Sequence, residues 1–139
     1  PPPLLVFLHP DCSCSRATVS ELDRLLAHVS GPVDTVAVFI RPKGWSDDRL
    51  KSELWESANR IPNLKTIVDD GKEAELFGAK TSCHAELFSK EGRLLFEGGI
   101  TASRGHEGDN VGRTSLEEIL RNRKLRPTFS AAGSSILRW

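Results

Sequence analysis

The sequence contains no methionine, only three cysteines and no surplus charge of either sign. Its 19 basic and 19 acidic residues cancel, so no electrostatic footprint points to nucleic acid or to an anionic membrane surface. Its apolar runs fall far short of the ~20 residues that cross a bilayer, and no secretory signal pattern stands at the start. The chain opens Pro1-Pro2-Pro3 and lacks methionine, which leads us to expect that an upstream segment, a targeting sequence or a membrane anchor, has been removed. Three cysteines are an odd count and too few for a disulfide scaffold. Internal repeats and low-complexity tracts are missing as well. What remains is 139 residues, enough for one domain with a core of its own.

Apolar periodicity divides that domain into alternating elements. Leu4 to Leu8 reads as a buried strand. Ser15 to Val29 reads as a helix with Val19, Leu22, Leu25, Leu26 and Val29 on one face, stopped by Gly31-Pro32. Val33 to Ile40 is rich in β-branched residues and reads as a second strand. Ser46 caps a helix expected from Asp47 to about Asn59, with Leu50, Leu54 and Ala58 inward. Lys65 to Val68 is a short strand, and Asp69-Asp70-Gly71 leads into a short helix ending at Phe77-Gly78. His84 to Phe88 and Arg93 to Glu97 form an antiparallel hairpin around Lys90-Glu91-Gly92. Ser115 to Arg123 is a last helix, and the tail shows no clear period. The order predicts an α/β domain with a mixed central sheet and parallel crossovers.

The chemistry concentrates where the first strand meets the first helix, at His9-Pro10-Asp11-Cys12-Ser13-Cys14-Ser15. Cysteines at a helix N-terminus face unpaired N–H groups and the positive end of the helix dipole, which favour the thiolate. Asp11 opposes that effect, and His9 supports it if charged. Cys83 is far away in sequence and, as a free cysteine, is most simply a small buried hydrophobe. His28 reads as a surface residue, and Trp45 and Trp55 as packing residues beside the second helix.

Phe7-Leu8-His9-Pro10-Asp11-Cys12-Ser13-Cys14-Ser15-Arg16-Ala17 resembles the Phe-Trp-x-x-Trp-Cys-x-x-Cys-Arg-Ala motif of the thioredoxin-like superfamily, in particular the TlpA-type extracytoplasmic thiol-disulfide proteins. Within these the chain is most similar to RedB-like proteins. Ile67-Val68-Asp69 through Phe77-Gly78 to Leu87-Phe88-Ser89-Lys90-Glu91-Gly92, followed by Gly98-Gly99, follows the rest of the family's course. The resemblance implies a three-layer α/β/α sandwich over residues 1–124 and a C-terminal tail over 125–139. It places Cys12 on the nucleophilic cysteine and Ser15 on the second cysteine position. Cys14 falls inside the variable pair, and Cys83 falls on the superfamily's cis-proline position, between Ser82 and His84. It also implies a periplasmic or otherwise extracytoplasmic setting, tethered in the full-length protein, where disulfide chemistry is at home.

Three functions compete for these residues. The first is thiol-disulfide exchange, with Cys12 as nucleophile and Cys14 as resolving thiol, or Cys83 in its place. A Cys-x-Cys disulfide closes a small strained ring and would be an oxidising one. Its partners would be client protein thiols or disulfides and a redox partner protein, with no cofactor. The second is copper or zinc binding by Cys12, Cys14, Cys83 and His84, with His9 nearby, because soft thiolates with imidazole favour these metals. The third is a redox-inert binding module. A polar, glycine-rich insertion from Gly98 to Gly112 carries Arg104, His106, Glu107, Asp109 and Asn110. The hairpin directs it to the motif's end of the sheet, so it reads as a lid with His106 as candidate acid/base. No Lys-Ser/Thr follows its glycines, which excludes a phosphate loop. No Pro-x-x-x-Thr-x-x-Cys stands in the chain, so a peroxiredoxin reading fits poorly.

Overall fold

The computed structural model describes residues 3–29, 33–79, 82–101, 111–122 and 129–131. Its elements are β1 (Pro3–Leu8), α1 (Ser13–His28), β2 (Asp34–Ile40), α2 (Asp47–Leu50), α3 (Glu53–Asn59), β3 (Leu64–Asp69), α4 (Lys72–Leu76), β4 (His84–Phe88), β5 (Leu94–Gly98), α5 (Val111–Asn122) and β6 (Phe129–Ala131). The sheet order is β3-β2-β1-β4-β5-β6. β1, β2 and β3 run parallel, β4 is antiparallel to both β1 and β5, and β6 is parallel to β5.

β1 lies inside the sheet and is apolar on both faces, as a strand covered on both sides must be. Leu4, Val6 and Leu8 join the larger core with Leu22 and Leu25 of α1 and Leu116, Ile119 and Leu120 of α5. Leu5 and Phe7 point the other way, into a smaller cluster with Val38, Ile40 and Ala74. Helices α1, α3 and α5 therefore cover one face, while the five-residue α4 covers the other. Asp69 carboxylate oxygens accept from the backbone N–H groups of Glu73 and Ala74 at 3.1 Å and fasten the start of α4. The β4–β5 hairpin turns at Gly92, whose φ of +87° is a conformation that suits glycine.

Four elements differ from the sequence expectation. The single helix expected over 47–59 is two, because Lys51 (φ −83°, ψ 60°) and Ser52 (φ −86°, ψ −163°) leave helical geometry between α2 and α3. Leu50 and Ala58 still point inward. α1 begins at Ser13, two residues early, and α5 begins at Val111, four residues early. Within the tail, Phe129–Ala131 forms β6, pairing with Phe96, Glu97 and Gly98. Three residues give too short a window for a period to declare itself. The stretch 102–110, with Arg104 and His106, and most of the tail lie outside the described residues.

Candidate functional site

β1 ends at Leu8, and the chain turns at once into α1. Because β4 runs against β1 with Phe7 opposite His84, the residues just before β4 arrive beside the start of α1. Three backbone-linked contacts fix this junction. The Cys83 N–H donates to Phe7 O at 2.7 Å, the His9 N–H to Ser82 Oγ at 3.0 Å, and the Cys12 N–H to His9 O at 3.1 Å. Cys83 sits at φ 66°, in the left-handed region that Cβ-bearing residues seldom occupy.

The three sulfurs converge there, all within 4.8 Å of one another. Cys14 and Cys83 are joined in a disulfide that spans 69 residues of sequence, with Cα atoms 6.5 Å apart. Both are almost fully buried, whereas Cys12 is half-buried and lies outside the disulfide. Cys12 Sγ stands 2.6 Å from Cys14 Sγ. A cysteine thiol thus lies against one sulfur of a disulfide, at the N-cap of a helix, with its side chain unused for capping. The expectation that Cys14 would close a ring with Cys12 differs from this pairing. Cys83 lies as near, and the 69-residue bridge avoids the strain of a Cys-x-Cys ring.

The chain matches no protein-family model and no curated protein. Among solved structures it is similar to an uncharacterized conserved protein from Geobacillus kaustophilus, with TM-score 0.71, 16% identity and coverage of 99% of this chain and 77% of that one. It is similar to a hypothetical protein from Sinorhizobium meliloti, with TM-score 0.69, 17% identity and coverage of 100% and 80%. It is also similar to Etrx1, the pneumococcal exposed lipoprotein thioredoxin from Streptococcus pneumoniae, with TM-score 0.61, 22% identity and coverage of 87% and 84%. The fold is that of thioredoxin. On this thioredoxin-like frame Cys12 and Cys14 stand where β1 gives way to α1, and Cys83 stands just ahead of β4.

The remaining candidates divide between two faces of the sheet. Ser15 is fully buried, and its hydroxyl donates to His9 O at 2.8 Å while lying 3.7 Å from Cys83 Sγ. Ser82, which sequence reasoning did not single out, is the hub of the site. Its Oγ lies 3.5 Å from Ser15 Oγ, 3.7 Å from Cys14 Sγ and 3.5 Å from Cys83 Sγ. Ser82 Oγ already accepts from the His9 N–H, and disulfide sulfurs carry no proton, so only the hydroxyl can donate to them. Its signal in the sequence was adjacency to Cys83 and nothing more.

His9 is close to the thiols, and its surroundings disfavour the charged form. Burial pushes its imidazole below the ordinary 6.5, against the pull of Asp11. The Asp11 N–H donates to His9 Nδ1 at 3.0 Å, which requires that nitrogen to be unprotonated. His84 is a second correction. It alternates with Ala85 and Leu87, which face α1, so its side chain turns to the opposite face of the sheet. There its Nε2 meets the buried Glu86 carboxylate at 3.1 Å. Among the described residues, the metal-capable cluster is Cys12, Cys14 and Cys83 without His84. His28 is exposed, and Trp55 packs edge-on against Phe39 at 5.1 Å, as the sequence indicated.

Proposed function

We propose that the chain carries out thiol-disulfide exchange, with Cys12 as the sulfur that meets other proteins. The observation that carries this reading is one accessible thiol held 2.6 Å from a sulfur of a buried disulfide. Starting from three reduced cysteines, the Cys12 thiolate attacks a client disulfide. A Cys12–client bond forms and the client's other sulfur leaves as a thiolate. The Cys14 thiolate then attacks Cys12 Sγ and expels the second client thiolate. Finally the Cys83 thiolate attacks Cys14 Sγ and releases Cys12. Two electrons pass from the Cys14–Cys83 pair to the client, and Cys12 ends free. Run backwards, the same steps oxidise a client, and the redox partner protein sets the direction. Cys14 is the central sulfur of both directions and Cys83 the final resolving one.

Ser15 and Ser82 position the sulfurs, and His106, between β5 and α5 in sequence, is the candidate acid/base. We assign the chain to the TlpA-type, RedB-like proteins and to an extracytoplasmic, membrane-tethered setting. The likeness to an exposed lipoprotein thioredoxin supports that setting, as does a disulfide at the site. Among the described residues, no helix is long and apolar enough to cross a membrane, so the tether would lie elsewhere.

The test is turnover of a protein disulfide by the metal-free chain and its Cys12→Ser variant, with disulfides mapped by peptide mass. We expect turnover to fall by about 100-fold or more in the variant while the Cys14–Cys83 linkage persists. Unchanged turnover in Cys12→Ser would sink the assignment. Resistance of all three reduced thiols to alkylation in the folded chain would favour an inert binding module.

A further inference from the structure

The three sulfurs carry a second consequence, independent of exchange. We propose that the reduced chain binds one Cu(I) ion through Cys12, Cys14 and Cys83, and that closing the Cys14–Cys83 disulfide expels it. The sulfurs lie within 4.8 Å of one another. Metal–thiolate bonds of about 2.3 Å set three ligands about 4 Å apart around a trigonal ion. Once the disulfide is reduced, side-chain relaxation of an ångström or two makes the cluster a fit.

The donor set selects the metal. Three thiolates suit a soft ion of low coordination number, whereas a structural zinc site is closed by a fourth ligand. Among the described residues the nearest imidazoles do not supply one. His84 is on the other face of the sheet with Glu86, and His9 Nδ1 accepts the Asp11 N–H. The surroundings suit a buried thiolate cluster. Leu8 and Cys14 belong to the apolar core, and the Ser82 hydroxyl, 3.5 Å from Cys83 Sγ and 3.7 Å from Cys14 Sγ, can donate to either thiolate. Cys12, half-buried at the helix start, is the entry path. Binding releases the thiol protons, so uptake strengthens as pH rises.

The release step balances. A disulfide oxidant such as oxidised glutathione takes two electrons from the Cys14 and Cys83 thiolates and departs as two thiolates. A sulfur–sulfur bond forms, the copper stays Cu(I), and it keeps one ligand of three. The site is thus a metal clip opened by oxidation.

The experiment is anaerobic titration of the reduced, metal-free chain with Cu(I) held by a colorimetric chelator. We expect one equivalent per reduced chain and none for the oxidised chain. We also expect protection of all three thiols from iodoacetamide in the loaded form, and release on adding oxidised glutathione. Cys83→Ser and Cys12→Ser should each weaken binding by about tenfold or more, since a lost ligand costs at least what a lost outer partner does. If the Cys83→Ser variant misfolds, the oxidised wild-type chain remains as the comparison lacking the same ligands. No uptake by the folded reduced chain, undiminished uptake by a folded Cys83→Ser variant, or preference for Zn(II) when both ions are offered would overturn the proposal. Exchange turnover is measured without metal, so either reading can fail alone.

Discussion

At the residue scale, the decisive fact about the site is how different three identical side chains become. Cys12 is half-buried and keeps its thiol, while Cys14 and Cys83 are closed off in a disulfide. Burial and the disulfide set the other two apart from it. His9 is differentiated in the same way. Its imidazole titrates below 6.5 because burial disfavours the cation. A histidine whose folded value is depressed leaves stability intact above its unfolded value and removes it as pH falls through the folded one. Stability should therefore drop between pH 6.5 and the lower folded value. His9→Asn keeps an acceptor in the place of Nδ1 but cannot charge. Urea midpoints at pH 7 and pH 5.5 should converge in that variant and diverge in the wild type, and equal slopes would discount His9.

At the element scale, Cys12 is the N-cap of α1 but makes no side-chain capping hydrogen bond. Its sulfur lies against Cys14 Sγ instead. Serine is a strong N-cap residue, and capping contributes about 1 kcal/mol. Cys12→Ser should therefore raise the stability of the reduced chain by roughly that amount while it removes exchange, a trade of activity against stability. Chemical denaturation of both reduced proteins checks it. A loss of stability in the variant would show that Cys12 supports the fold rather than serving the chemistry.

At the scale of the whole molecule, two long connections hold the layers together. The Glu21 side chain on α1 is fully buried and receives Arg24 at 3.2 Å and Arg113 of α5 at 2.8 Å. Arg113 also reaches Glu117, which pairs with Arg121. Breaking a buried pair from one side costs about 3–5 kcal/mol when the remaining charge has no other partner, and Arg24, half-exposed, stays beside Glu21, so the cost here should fall toward the lower end of that range. Arg113→Leu alone should show that loss in urea unfolding, and Glu21→Leu with Arg113→Leu should recover most of it. The second connection is the Cys14–Cys83 bridge, closing 69 residues. Loop-closure entropy puts its contribution at about 4 kcal/mol. Reducing it in a Cys12→Ser background, where no isomer can form, should lower the unfolding free energy by that order. A change below ~1 kcal/mol would mean that the disulfide is there for chemistry alone.

Much of this molecule is legible in its sequence. The β-branched content of Val33 to Ile40, the apolar run Leu4 to Leu8 and the one-sided apolar face of α1 are short-range patterns, and short-range patterns fix element type. They also placed Cys12 at a helix start, because a strand, a tight link and a helix leave no other position for it. Where the pattern is weak, the reading slipped. The break at Lys51-Ser52 carries neither glycine nor proline, and β6 is only three residues long.

The pairing of sulfurs belongs to the other category. Nothing local distinguishes Cys14 as the partner of Cys83 rather than of Cys12. The antiparallel register of β1 and β4, Phe7 against His84, brings Ser82 and Cys83 to the start of α1. The same register turns His84 to the far face, away from the cysteine that precedes it. A period of two along a strand assigns faces, but only the packed sheet says which face holds the site. The sequence by itself determined that a thiol would stand at the head of a helix in a thioredoxin-like domain. Tertiary structure alone decided that three sulfurs would share that place, because only folding closes a gap of 69 residues.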